Sequence, residues 1–305
     1  MARRQDRRLR QVGDVREVTS THRVHMRRQS TAVTIVLGLV LLAGPSCRDG
    51  RQSTGATTTD LPAEASGTGR SEPTTTTVGP AVAGGTFDTT SGPVTLACEG
   101  SGTVPVVLIA GTDDPVARWD SLVGALGPEV LTCRHVPSRA ASLPATPTVR
   151  SDALAEALRA SALPGPYLLV AHSLGAATVR RFGDRHPDLL GGALLLDGTT
   201  PLALLSLDDV LIADGWDPVA TRADVEAPAT WPPVPLSVLA HDPAGEPLGL
   251  GPAVEALWTE GQQTYVALTG DASFEQVPGT GHAIDLDAPG RVVAEIARLL
   301  EAVDA

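Results

Sequence analysis

Apolar positions along this chain keep two alternating rhythms from about residue 93 to the end. Residues 106–110, 168–171 and 193–196 form short unbroken apolar runs with no polar face, as strands buried on both sides of a parallel sheet do. Between such runs the spacing turns helical. Trp119, Leu122, Val123 and Leu126 recur at intervals of three and four, which would give a helix one apolar stripe. Read throughout, the pattern predicts strands at 93–98, 104–110, 129–136, 167–171, 192–196, 235–240 and 274–277. Helices are predicted near 119–126, over 152–163 and 174–186, after Gly251, and at the end. Val292, Val293, Ile296, Leu299, Leu300 and Val303 share one face of the last helix, which Asp287 would cap. Strands alternating with helices imply an α/β domain whose mainly parallel sheet is covered by helices on both faces. No internal repeat is visible, and one long excursion, residues 198–234, interrupts the alternation.

The first 85 residues follow neither rhythm. Arg27 and Arg28 precede an apolar run over 31–43 that is too short to span a membrane and is followed by Gly44-Pro-Ser-Cys47. Residues 1–47 therefore read as an export signal, and Cys47 resembles the acylated cysteine of bacterial lipoproteins. Residues 48–85 are Ser, Thr, Gly, Pro and Ala with almost no large apolar side chain. Such a segment cannot bury enough surface to offset its ordering entropy and reads as a tether. Residues 86–305 then hold the folded domain, facing outward from a membrane or free in the medium.

Charge excludes one class of partner. All 23 basic residues are arginine, nine of them in the first 28 positions, so the remainder carries 14 against 32 acids. That body has no electrostatic reason to bind nucleic acid. No metal-ligand spacing, nucleotide loop or nucleic-acid module appears, so neither cofactor nor metal is expected. Three cysteines in an exported chain allow one disulfide and leave one over. Cys98 and Cys133 lie in strand-like runs while Cys47 lies outside, so the simplest assignment bridges the first two and leaves Cys47 for lipid.

The chemistry centres on Leu168-Leu-Val-Ala-His-Ser-Leu-Gly175. An apolar strand that delivers a serine into a sharp turn, with small residues two before and two after, has the form of a nucleophile elbow. Ser173 would stand at the carboxyl edge of the sheet above a helix end. A serine hydroxyl needs a histidine to take its proton and return it to the leaving group. Val277-Pro-Gly-Thr-Gly-His-Ala-Ile-Asp-Leu-Asp-Ala-Pro289 offers His282 in a turn before the last helix. Of the other histidines, His172 beside the serine reads as a packing residue facing away, and His241 as a strand-end residue.

These motifs, with Val106-Val-Leu-Ile-Ala-Gly111, resemble the α/β-hydrolase superfamily over essentially the whole body. Ala171 stands where that family's elbow usually has glycine, and Ala110-Gly111 replaces its usual His-Gly. The resemblance implies a Ser-His-acid triad of Ser173, His282 and an aspartate between them. The family's commonest arrangement favours Asp242, at the end of the strand over 235–240. A secreted bacterial branch, suggested by Cys98, Trp119, Cys133 and Leu257-Trp258-x-x-x-Gln262, uses the earlier place and favours Asp197, which is taken first with Asp242 as the alternative. The resemblance also implies oxyanion donors at the backbone of Leu174 and Thr112. It sets Cys98 beside Cys133 and makes residues 198–234 a short lid, whose Leu202, Leu204, Leu205, Val210, Leu211 and Ile212 would form an apolar wall or pack as core. The implied activity is cleavage of a small-molecule ester or related acyl substrate. A catalytically silent surface protein and an acyltransferase are the alternatives.

Overall fold

A computed structural model describes residues 84–304 except 113, 138–143, 202–203, 205–206 and 246–250. The export segment, Cys47, nearly all of the tether, Leu202 and Leu205 lie outside the described residues. Eight strands form one sheet in the order β1-β2-β4-β3-β5-β6-β7-β8. They are β1 (Gly85–Phe87), β2 (Val94–Glu99), β3 (Val106–Ile109), β4 (Thr132–Pro137), β5 (Tyr167–His172), β6 (Leu190–Leu196), β7 (Leu236–Ala240) and β8 (Ser273–Gln276). At one edge β2 pairs antiparallel with both β1 and β4, and the pairs from β4 through β3, β5, β6 and β7 to β8 are parallel.

The unbroken apolar runs are explained by the two layers of helix. Val107, Ile109, Leu169, Ala171 and Leu195 face a core completed by α2 (Pro147–Ala160) and α3 (Gly175–Arg185). Their alternates Val106, Leu108, Leu168, Val170 and Leu194 face α1 (Asp120–Leu126) and α8 (Pro289–Asp304) through Leu122, Val123, Val292, Ile296 and Leu299. A period of two within a run of uniform polarity is what burial on both faces requires.

Where boundaries differ from the sequence reading, local chemistry gives the reason. β1 is a three-residue edge strand and carries no periodic signal. α2 starts five residues before the expected 152, because the Thr146 hydroxyl caps Val149 N–H at 3.2 Å and Pro147 takes the first helical turn. Asp287 does not cap α8: it closes the short helix α7 (Ile284–Asp287), and its carboxylate accepts from Gly281 N–H at 2.8 Å.

The excursion after β6 folds as two short helices, α4 (Asp208–Ala213) and α5 (Pro218–Glu226). Leu204, Leu211, Trp216 and Val225 are buried there against Ala145, Leu174 and Ala177, whereas Val210 and Ile212 are exposed. The segment thus packs onto the elbow as core and turns part of its apolar surface outward. α6 (Pro252–Val266) packs against β7 and hydrogen-bonds the start of this segment through Gln262 and Tyr265. Among the described residues no helix is long and apolar enough to cross a membrane.

Cys98 and Cys133 are cross-strand partners in the β2–β4 ladder and form a disulfide, with Cα atoms 4.0 Å apart. The bridge closes a loop of sequence separation 35, so loop-closure entropy makes it worth about 3–4 kcal/mol. Urea unfolding of Cys98→Ala/Cys133→Ala should show a loss of that order. An unchanged midpoint would mean that the β2–β4 register holds without the bridge.

Candidate active site

The site is assembled where β3, β5, β6 and β7 end. At the β5–α3 turn Ser173 has φ 52° and Asp197, just past β6, has φ 45°. They are the non-glycine residues with left-handed backbone among the described residues, and such strain persists only where surrounding structure enforces it. For Ser173 the enforcement is visible. Its N–H bonds Leu196 O at 3.1 Å, its carbonyl accepts from Thr199 N–H at 3.0 Å, and Gly175 lies so close to β3 that a Cβ would sit 2.7 Å from Ile109 O. Gly111 approaches from the other side, where a Cβ would meet Ser173 Cβ at 2.7 Å. No larger residue fits at either glycine without moving backbone.

His282 follows β8 and is held by the fold at its Nδ1. That N–H donates to Asp197 Oδ2 at 2.5 Å, while the indole of Trp258 on α6 stands edge-on to the ring at 5.2 Å. Asp197 is fully buried. Burial pushes its carboxyl up, but hydrogen bonds from His241 and His282 and their charges outweigh this and hold it at about 2. The backbone after Asp197 is fixed in turn. Gln262 Nε2 donates to Gly198 O at 2.8 Å, and the Tyr265 hydroxyl donates to Thr199 O. Asp242, the alternative acid, is elsewhere engaged: Oδ1 accepts from Ala244 N–H at 2.9 Å and Oδ2 from Gly279 N–H at 3.0 Å. It shapes the turn before His282 and does not touch the ring.

The Ser173 hydroxyl is hydrogen-bonded to Thr199 Oγ1 at 3.2 Å, and among the described residues it makes no hydrogen bond with His282. The backbone N–H groups of Leu174 and Thr112 have no hydrogen-bond partner among the described residues. Thr112 follows Gly111, whose own N–H donates to Asp114 Oδ2 at 2.9 Å, so this loop is braced from within. A cavity of about 140 Å³ opens beside Gly111, walled by Ala110, Trp119, His135, Thr178 and Trp216.

Several participants were not singled out in the sequence. His172 does not face away: its Nδ1 is 2.7 Å from Asp114 Oδ2, its Nε2 is 3.0 Å from His282 O, and its ring lies 4.5 Å from that of His282. Burial holds its basicity below the ordinary histidine range. The Nδ1 bond to the Asp114 carboxylate is the charge-assisted one of the two. Arg118 pairs with Asp114 at 2.8 Å and with buried Asp285 of α7, tying the Gly111 loop to the histidine loop. His241, next to Asp242, donates Nδ1–H to Asp197 Oδ1 at 2.8 Å and contacts Glu255 through Nε2. The adjacent carboxylate drew the sequence reading to Asp242, whereas the histidine beside it reaches the buried acid.

Two histidines make stability depend on pH in opposite senses. For His241 burial opposes the cation, but the hydrogen bonds and charges of Asp197 and Glu255 win and push it from 6.5 up to about 9. The folded chain then keeps a proton that the unfolded chain releases. That contribution is full below pH 6.5 and is lost as pH rises toward 9. Burial and the charge of Arg150 lower His135 from 6.5 to about 3, so its unfolded form protonates first and stability falls as pH drops from 6.5 toward 3. Unfolding free energies measured in urea should peak near neutrality. In His241→Asn the decline between pH 6.5 and 9 should disappear while the acid-side decline remains. A wild-type alkaline decline retained in full by the variant would contradict the assignment.

No family model and no curated protein sequence matches the chain. Solved structures do. A thermophilic esterase from Thermogutta terrifontis is similar over 73% of this chain and 99% of its own, at 18% identity and a TM-score of 0.55. The carboxylesterase CesB from Bacillus subtilis is similar over 71% of this chain and 90% of its own, at 15% identity and a TM-score of 0.51. At these identities the likeness is one of fold, and it agrees with the mainly parallel eight-stranded sheet and the serine turn after β5: the chain has the α/β-hydrolase fold.

Proposed function

We propose that this protein is a serine hydrolase that cleaves a small ester or related acyl compound through an acyl-enzyme. The observation that carries the reading is the pairing of a strained serine turn, φ 52° at Ser173, with a buried, ionised Asp197 bonded to His282 at 2.5 Å. Asp197 fixes the tautomer of His282 with its proton on Nδ1, leaving Nε2 as the base. When substrate enters, the Ser173 hydroxyl leaves Thr199 and gives its proton to His282 as Oγ attacks the acyl carbon. Such bonds are commonly long in empty sites and tighten on binding. The oxyanion faces the N–H groups of Leu174 and Thr112, each worth about 3–4 kcal/mol in comparable sites. His282 then protonates the leaving oxygen, and a water activated by the same ring hydrolyses the acyl-Ser173 ester.

The esterases similar in fold agree with an acyl substrate, and the cavity bears on its size. An engineered apolar cavity of about 150 Å³ takes benzene, so the space of about 140 Å³ beside Gly111, lined by Asp114, Arg150 and Asp214 as well as by Trp119 and Trp216 and adjoining Ser173 through Gly111, has room for an acyl group of roughly six heavy atoms. We further propose export, supported by the Cys98–Cys133 disulfide, a bond that persists in oxidising compartments, with Cys47 as the lipid-bearing residue. Mass spectrometry of the mature N-terminus tests this, and an unmodified Cys47 contradicts the anchor.

Purified protein should be labelled by a fluorophosphonate, and Ser173→Ala should abolish labelling. Labelling that survives in that variant, or none in the wild type, would contradict the hydrolase reading. With p-nitrophenyl esters, kcat/KM should be highest between acetate and hexanoate and at least tenfold lower for decanoate. A profile rising with chain length would contradict the cavity assignment. Transfer to added alcohols in preference to water would make the enzyme an acyltransferase.

A further inference from the structure

Asp197 is held by two histidines, of which the proposed mechanism uses one. His241, the residue after β7, is 1% exposed and donates both its Nδ1–H and its backbone N–H to Asp197 Oδ1, at 2.8 and 3.2 Å. Its Nε2 meets Glu255 Oε1 on α6. Both ring nitrogens therefore face carboxylate oxygens, which only accept, so the ring makes both bonds as an imidazolium. The same two carboxylates outweigh burial and keep it charged to about pH 9. His282 takes the other oxygen, Oδ2.

The geometry points to His241 and Glu255 as a positioning pair that sets how strongly Asp197 attracts the proton on His282, and so the pH range in which Ser173 is activated. The inference rests on the catalytic reading above. A cation on Oδ1 offsets part of the negative potential that Oδ2 presents to the base, and in a buried site that offset is weakly screened. Glu255 holds the cation in place and contributes a negative charge of its own. Trp258, one turn further along the same helix, packs on His282, so one helix braces both histidines.

Other ionisable groups near the pair have identified partners. His172 from β5 bonds Asp114, and Asp114, Arg118 and Asp285 pair among themselves. Asp242 and Asp287 accept from the N–H groups of Gly279 and Gly281. Among the described residues the hydrogen bonds to the Asp197 carboxylate come from His241 and His282.

The test is the second-order rate of Ser173 modification by a fluorophosphonate, measured against pH on the full chain for wild type, His241→Asn and Glu255→Gln. Asparagine keeps a donor for Oδ1 and removes the charge. The unbalanced carboxylate then holds the proton of the base more tightly, so the acidic limb should move up by about one pH unit. Glu255→Gln removes a negative charge and should move the limb down, by about half a unit. Opposite shifts are the signature, because a merely structural pair would lower the plateau in both variants and leave the limb in place. Limbs that coincide with wild type, or that move in the same direction, overturn the inference while labelling of Ser173 continues to support the hydrolase reading. Absence of wild-type labelling overturns both. Should His241→Asn fail to fold, Glu255→Gln decides alone: a downward shift supports the pair and an unmoved limb overturns it.

Discussion

The hydrogen bond from His282 Nδ1 to the buried carboxylate of Asp197 is the constraint on which the site depends. A fully buried carboxylate is costly unless donors surround it. Here the donors come from two loops far apart in sequence, the residue after β7 and the turn after β8. Removing either would leave charge or a donor unmatched in the interior. The sheet order makes the convergence possible, since β6, β7 and β8 are consecutive neighbours and end on the same side. Asp197 N–H also donates to Leu239 O at 2.7 Å, which extends the β6–β7 ladder one residue into the site.

A second set of contacts ties the remaining parts together. His172 spans from Asp114 on the Gly111 loop to the carbonyl of His282, and Arg118 reaches from the same loop to α7. The segment that offers Thr112 N–H and the segment that carries His282 are thereby fixed relative to each other by buried charge-assisted bonds. In the α/β-hydrolase fold the reacting groups are loop residues, and loops need such bracing to hold sub-ångström geometry. The excursion after β6 adds a hydrophobic brace, with Leu204, Leu211 and Trp216 packed on Leu174 next to the serine.

Much of this was legible in the sequence, because the strongest signals are those of burial. Strands buried on both faces declare themselves as unbroken apolar runs, and the elbow is written in consecutive residues from Leu168 to Gly175. Asp197 was readable as a strand end but not distinguishable from Asp242 by local pattern. What separates them is a cross-sheet relation: Asp242 spends both oxygens on backbone N–H groups of nearby turns, while Asp197 lies under the ring of His282. His241 and Glu255 were illegible for the same reason, since their meaning is a contact between a strand end and a helix 14 positions later. His172 was read as packing because a buried histidine next to the elbow serine has no pattern that announces a carboxylate 58 positions upstream. Three-residue edge strands such as β1 carry too few positions for any period to show.

The central claim, that Asp197 orients the base, is tested most directly by turnover of p-nitrophenyl butyrate in Asp197→Asn and Asp242→Asn. An amide at the acid position holds the wrong tautomer, and in comparable triads costs about 10⁴ in kcat. The account predicts a loss of about 10³–10⁴ for Asp197→Asn and a change within about threefold for Asp242→Asn, whose side chain supports only a turn. Equal effects, or a greater loss at Asp242, would contradict it.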